Sequence, residues 1–503
     1  MPGLVLQPSR ARSPLPPTNR RRPRGAGRPA GLPPRAVERG ACHPLGHPAP
    51  PGRAPGSHAL RPVGTGARAP MTQLHAPSFP VDLAVVGAGM AGQCAALFAS
   101  QQGLSVAVLG PVGAWAYASG LFDLLGVHPV DQGTRVENPW EAVRALASDL
   151  PRHPYTLVSE QDMRTAFDGL LDAFDQAGYP YVHAPEANSD VITSVGTRKR
   201  TYCLPTTMWA GVAALRDRVP CLLVDFEGTK DYCARQIVVN ASPAWPGLRS
   251  VRVRFPGVEG LSELSPEHLA RRLDVPACRE RLVDVVAAHV GESRAVGLPP
   301  ILGFEKPLEA LADLERRLGV SVFEVPSTPV SVPGLRVHLA FERLLRKRGV
   351  TALADRVTRA HVDPEGGFLL HAGDAESRVV VRARSVLLAS GRFLGGGLVA
   401  DRHRVREALF DLPVHQPGSR VDWHRKDLFD PRGHEVNQAG LQVDEGFRPR
   451  GPTGSPAFST LHAAGSILAH QDWMRMKCGS GLAIATAWGA VRSCLGNTPG
   501  GKA

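Results

Sequence analysis

No two of the eight cysteines stand closer than Cys221 and Cys233, twelve positions apart, so a CxxC zinc ribbon or an iron–sulfur cradle within this chain is excluded. The others, Cys42, Cys94, Cys203, Cys278, Cys478 and Cys494, are scattered singles, the usage of a reducing cytoplasm. No stretch reaches the roughly 18 uninterrupted apolar residues of a spanning helix, so any membrane association has to come through a partner or a surface patch. A basic groove is missing too. Of the net charge of +12, residues 1–70 carry +11 (twelve Arg against Glu38), which leaves the remaining residues at 12 − 11 = +1 and gives no indication of nucleic-acid binding.

Residues 1–70 contain no lysine, 16 of the 46 prolines and almost no apolar periodicity, and are expected to form a disordered Arg/Pro-rich tail. Asn19-Arg20-Arg21-Arg22 has the pattern of a twin-arginine export signal, but no apolar run follows it, and the prolines spoil the amphipathic helix of a transit peptide. The reading adopted is that translation begins at Met71 and that the tail comes from an over-extended reading frame. A solvated basic arm is the alternative.

What is present begins at Pro80. Val81, Leu83, Val85 and Val86 make a short apolar strand that breaks at Gly87, Gly89 and Gly92 into an Ala-rich helical run ending near Gly103, and Ser105 to Leu109 form a second strand. This is a βαβ unit of about 30 residues, the length that closes a parallel pair with one helix. Gly87 permits the tight turn, Gly89 lets a phosphate approach the backbone, and Gly92 lets helix and strand pack closely. The helix opens with free N–H groups, an anion site. A GxGxxG alone is weak; between a strand and a helix with a second strand behind it, it points to a nucleotide or flavin. The plain alternative is a Gly-rich turn in an empty Rossmann-like domain. The acid expected at the end of the second strand is absent, since Leu109, Gly110, Pro111, Val112 and Gly113 stand there. A ribose diol loses its acceptor, which favours FMN over FAD or NAD.

Ala118, Ser119 and Gly120 precede the apolar run LFDLL and can offer backbone N–H groups to a cofactor, or simply turn the chain into a helix. Apolar residues at intervals of three and four predict helices near Pro139–Leu150 and Glu160–Ala177. From Asn188 to Gln236 the pattern reads as short strands and turns, and amphipathic helices follow two Pro-rich turns, LPPILGF and PSTPVSVPG. The chain then returns with a hairpin around Gly373-Asp374, a buried strand Ser385–Ala389 breaking at Ser390-Gly391, and a strand in LHAAGSI ending at Gly465-Ser466. Gly479 and Gly481 start an apolar last helix. Its positive end would face the flavin N1 and C2 carbonyl, where negative charge collects on reduction, and Lys477 would add to that field unless it is merely a solvated surface lysine.

The segments VVGAGMAG, ASGLFDLL, RHPYTLV, LPPILGF, PSTPVSVPGLRVHLAFERLLRKRG, ASGRFLGGGLVADR and LHAAGSI, with the closing CGSGLAIATA, resemble the B subunit family of anaerobic glycerol-3-phosphate dehydrogenase across nearly all of residues 80–495. The βαβ unit, the returning strands and the resemblance together predict an α/β fold: a Rossmann-like, FAD/NAD(P)-binding flavoprotein of the three-layer glutathione-reductase-like type, in which the middle region, with its own core, forms an inserted cap or substrate domain. Expected bounds are 71–187 and 349–503 for the flavin-binding parts and 188–348 for the insertion. The resemblance further implies FMN, with FAD as the alternative, and the glycine bends read above make Gly87, Gly89, Gly92, Ser119, Gly120, Gly391, Gly465, Ser466, Gly479 and Gly481 the expected cofactor-binding residues. The implied partners are a larger flavoprotein subunit and an iron–sulfur subunit at the inner face of the cell membrane. Together they oxidise sn-glycerol 3-phosphate to dihydroxyacetone phosphate and pass electrons to quinone. No base is assigned: His338, His462 and His470 are candidates, though such histidines are more often surface or packing residues, and Arg336 and Arg392 could meet a phosphate, though an arginine in a turn usually faces water. A cofactor-poor assembly subunit with no chemistry of its own, and a nucleic-acid-modifying flavoprotein that uses the tail, are the rival readings.

Overall fold

A computed structural model of the chain describes residues 78–326, 328–374 and 379–496. The Arg/Pro-rich tail and Met71 lie outside the described residues. Strand β1 (Ser78–Ala88) is buried on both faces from Leu83 to Val86, as the centre of a parallel sheet requires. It passes through the glycine turn into α1 (Met90–Gln101), buried from Ala91 to Ala99, and then into β2 (Val106–Val112). Helix α2 (Glu160–Gln176), capped by Ser159, presents Met163, Ala166, Phe167, Leu170 and Phe174 to the same core.

A hairpin of β3 (Ser189–Ile192) and β4 (Arg198–Thr201) opens the middle region and is followed by α3 (Thr206–Asp217). Four parallel strands come next: β5 (Cys221–Phe226), β6 (Leu248–Val253), β7 (Ala295–Leu298) and β8 (Ser321–Glu324), in the order β8-β7-β5-β6. One face of this sheet carries its own core of Leu222, Val224, Phe226, Leu282 and Leu298, and the other face carries Leu223, Ile237, Trp245 and Phe323.

Helix α4 (Val332–Lys347) leads back to the first sheet. It falls within the 188–348 span expected for the insertion, yet its Val337, Ala340, Phe341 and Leu344 belong to the first core. It feeds β9 (Thr351–Leu353), which pairs parallel to β2, and then come β10 (Val357–Val362), β11 (Phe368–Ala372) and β12 (Val379–Leu388). Strand β13 (Leu461–Ala463) lies parallel to the end of β12, and α5 (Gly479–Gly496) closes the described chain against α1. The main sheet runs β9-β2-β1-β12-β11-β10, with β13 beside β12.

Arg336 corrects an expectation. It does not face a phosphate site: its guanidinium, 2% exposed, donates to Glu324 Oε2 at 2.7 Å and Oε1 at 2.9 Å and to the Gly303 carbonyl. Glu324 also accepts from Thr207 Oγ1 at 2.6 Å and from the Leu302 amide at 2.7 Å. The pair therefore ties α4 to β8 and α3.

Candidate functional site

Three parallel strands, β1, β12 and β13, end on one edge of the main sheet, and the glycine bends meet there. Val86 pairs with Leu388, and Leu388 pairs with Ala463. Gly87 has a φ of +115°, and a Cβ on it would lie 2.3 Å from the Ala389 carbonyl oxygen. A Cβ on Gly92 would sit 1.8 Å from the Gly87 oxygen, so only glycine lets α1 lie this close to β1. A Cβ on Gly465 would meet that of Ala91 at 2.6 Å, and one on Gly391 would lie 3.7 Å from Ser466 Oγ. Gly87, Gly92, Gly391, Gly465 and Ser466 thus surround the first turn of α1.

Gly89 differs from these. A Cβ there meets nothing within 4 Å, so the space above it is open. It is the N-cap of α1, with no side-chain cap and no acid in the first turn, which leaves free amides and an uncompensated positive helix end. Buried polar atoms without a hydrogen-bond partner border the bends: Gln93 Oε1, Trp115 Nε1 and Ser390 Oγ. A Cβ on Gly113 would be 3.0 Å from Gly89 Cα and 3.2 Å from Trp115 Nε1, which puts the indole N–H beside the open space. Uncapped amides beside the unpartnered Trp115 N–H and Ser390 hydroxyl at a glycine cradle fit a phosphate-bearing group.

The remaining expected residues sit elsewhere. Gly465 N donates to Thr486 Oγ1 at 2.8 Å, and Thr486 is seven residues into α5. At 1.5 Å per residue, the first residue of α5 therefore lies about 10 Å along the helix from the contact with the Gly465 bend. Gly481 and Gly479 serve close packing at that end. A Cβ on Gly481 would be 2.5 Å from the Tyr155 hydroxyl, and one on Gly479 would be 2.8 Å from the Trp473 ring. Ser119 and Gly120 are held at the start of α4: a Cβ on Gly120 would lie 2.6 Å from Pro333, and Tyr181 donates to its carbonyl at 2.6 Å.

Asp123, which the sequence did not single out, links that segment to α5. Its amide donates to Ser480 Oγ at 2.6 Å, and its carbonyl accepts from the Gly481 amide at 2.8 Å. Its carboxylate meets Lys199 of β4 at 2.5 Å. The signal was ASGLFDLL, but no spacing announces a partner 76 positions away.

The histidines separate by environment. His462 is fully buried with Nδ1 2.9 Å from the Gly446 carbonyl, and His338 stacks on Trp115 at 6.0 Å between ring centroids. His470, at φ +63°, packs 4.2 Å from His415 between ring centroids, and its Nε2 lies 2.9 Å from Gln442 Nε2. Burial, with His415 and Arg152 adding positive charge, pulls His470 down to about 4, so it is neutral at pH 7. Burial likewise pulls His153 down to about 3. Arg392 is spent on the Val436 and Asn437 carbonyls. Lys477 stands exposed in the left-handed bend before α5. Burial pushes the Cys94 and Cys478 thiols well up, so neither is a nucleophile. Among the described residues no group of His, Cys, Asp or Glu is placed to hold a metal ion, and no helix is long and apolar enough to cross a membrane.

An uncapped helix end among glycine bends at the carboxyl edge of a mostly parallel sheet fits the fold of FAD-binding flavoproteins, the class to which the chain belongs. Residues 82–482 match the family model described as FAD binding domain. Within that class the chain belongs to the B subunit family of anaerobic glycerol-3-phosphate dehydrogenase. A relative from Halobacterium salinarum (strain ATCC 29341 / DSM 671 / R1), named as the probable B subunit of that dehydrogenase, is 31% identical over 81% of this chain and 96% of its own length. The B subunit of the anaerobic glycerol-3-phosphate dehydrogenase of Vibrio vulnificus (strain YJ016) is 28% identical over 82% and 96%. Among solved structures, 3-ketosteroid delta1-dehydrogenase from Sterolibacterium denitrificans aligns with 83% of this chain and all of its own at 12% identity and a TM-score of 0.39.

Proposed function

We propose that this chain is a flavin-carrying subunit of a dehydrogenase that oxidises sn-glycerol 3-phosphate to dihydroxyacetone phosphate, with electrons leaving through an iron–sulfur partner to quinone. The observation that carries this reading is the cradle at Gly89, uncapped and bordered by unpartnered buried polar atoms, in a chain of this family. Gly87, Gly89, Gly92, Gly391, Gly465 and Ser466 would hold the phosphate and ribityl end, while the first turn of α5 would meet the ring. A bound flavin would supply the hydride acceptor. The chain's own part is to fix that group and to exclude water from its ring. Since the cysteines supply no cluster, single-electron transfer belongs to a companion chain, and that companion would bring this one to the inner face of the membrane.

The family model is one for FAD, whereas the acid-free end of β2 removes the usual acceptor for an adenosine ribose and favours FMN. Native purification followed by heat release and chromatography of the chromophore separates the two. The expected result is a yellow protein, bleached anaerobically by glycerol 3-phosphate. A colourless preparation that takes up neither FMN nor FAD would leave the reading as a cofactor-poor assembly component in its place.

A further inference from the structure

We propose that the Asp123–Lys199 pair is the site that works on the phosphorylated alcohol, with Lys199 binding its phosphate and Asp123 accepting its hydroxyl proton. This rests on the reading above. Asp123 is fixed on both sides of its backbone by the first turn of α5, through Ser480 Oγ and the Gly481 amide. Its backbone therefore sits at the first turn of α5, about 8 Å along that helix from Thr486, the residue that holds the Gly465 bend. Lys199 reaches it from the β3–β4 hairpin, so the pair is formed between the inserted region and the flavin region. The Asp123 and Lys199 side chains are 17% and 28% exposed, shielded enough to strengthen their interaction and still reached by solvent.

The chemistry of the two groups is complementary to the substrate. An ammonium on a flexible stem can leave a carboxylate for a phosphomonoester dianion, which carries more charge and more acceptor oxygens. The carboxylate it leaves is then an acceptor facing the alcohol. A bound flavin would accept the hydride that leaves C2 with the electron pair of the broken C2–H bond. The O–H bond breaks with its proton going to Asp123, and the C2–O single bond becomes the carbonyl. Two electrons and one proton are accounted for, and the only oxidant is the flavin. The competing explanation is that the pair merely clasps the hairpin to the groove.

The test uses the flavin-loaded full chain and the variants Lys199→Met, Lys199→Arg and Asp123→Asn. Binding is measured by calorimetry with dihydroxyacetone phosphate and with dihydroxyacetone, and turnover by anaerobic bleaching with glycerol 3-phosphate. Lys199→Met should weaken dihydroxyacetone phosphate by at least about tenfold and leave dihydroxyacetone unchanged, with Lys199→Arg restoring part of the loss. Asp123→Asn should bind dihydroxyacetone phosphate as tightly as the parent or more tightly, because Lys199 loses its competitor, yet bleach at least about a hundredfold more slowly. A clasp predicts the opposite: both variants lower the unfolding temperature while binding and bleaching stay at parent levels, and that result overturns the proposal. If the parent chain itself is not bleached by glycerol 3-phosphate, the function proposed above fails instead, and the phosphate-binding comparison still decides the role of Lys199.

Discussion

Gly89→Asp is expected to strip the flavin from this protein while leaving its fold intact. The backbone at Gly89 is extended, with φ −80° and ψ −172°, so any residue fits it, and a side chain there enters open space. Aspartate is also a good N-cap, and the apoprotein should be unchanged or slightly more stable. Its carboxylate would occupy the same amides that a phosphate needs and repel it. Like charges about 4 Å apart at an effective dielectric of 20 cost about 4 kcal/mol, enough to weaken binding by about a hundredfold or more. Flavin content after gel filtration and the thermal unfolding of the apo form check both halves. A variant that keeps its flavin would place the phosphate away from α1. The neighbouring glycines make the control, since Gly92→Ala forces a methyl onto the Gly87 carbonyl and should damage the fold itself.

Arg336→Met should be the most destabilising single change away from the groove. It leaves the Glu324 carboxylate, 1% exposed, with the Thr207 and Leu302 donors but no cation. Breaking a buried pair from one side costs about 3–5 kcal/mol. Adding Glu324→Leu should recover much of that loss, because it removes the stranded charge. Urea unfolding followed by intrinsic tryptophan fluorescence reads the series. If Arg336→Met instead weakened phosphate binding with no loss of stability, the side chain would belong to the groove after all.

Legibility in the sequence followed how local each cause was. The β1-α1-β2 unit could be read because a doubly buried strand, a glycine turn and an Ala-rich helix each leave a continuous signature. Helix α3 was missed within a stretch read as strands and turns. Its buried residues, Thr207, Met208, Gly211, Ala214 and Leu215, include small and polar types, and it is held by Gly211 lying against the Phe323 ring rather than by an apolar stripe. Arg336 looked like an available cation because nothing near it in sequence reveals Glu324. The bends at Gly391 and Gly465 could each be read, but only strand register brings them to α1. Helix α4 shows the same limit, since its amphipathic pattern says that it packs and not on which core.

The route of the chain through the main sheet also bears on how the protein is made. Strand β2 ends at Val112 and its outer neighbour β9 begins at Thr351, so the whole β5–β8 sheet is synthesised before the first sheet can be completed. The β5–β8 layer closes on nearby residues and can fold on the ribosome as a unit, while β1 and β2 wait with unpaired edges for partners still to be translated. During that interval the nascent chain exposes the apolar strand edges most prone to intermolecular pairing. Chaperone dependence and low yield on rapid overexpression are therefore expected to trace to this half-built sheet, with slower translation relieving both.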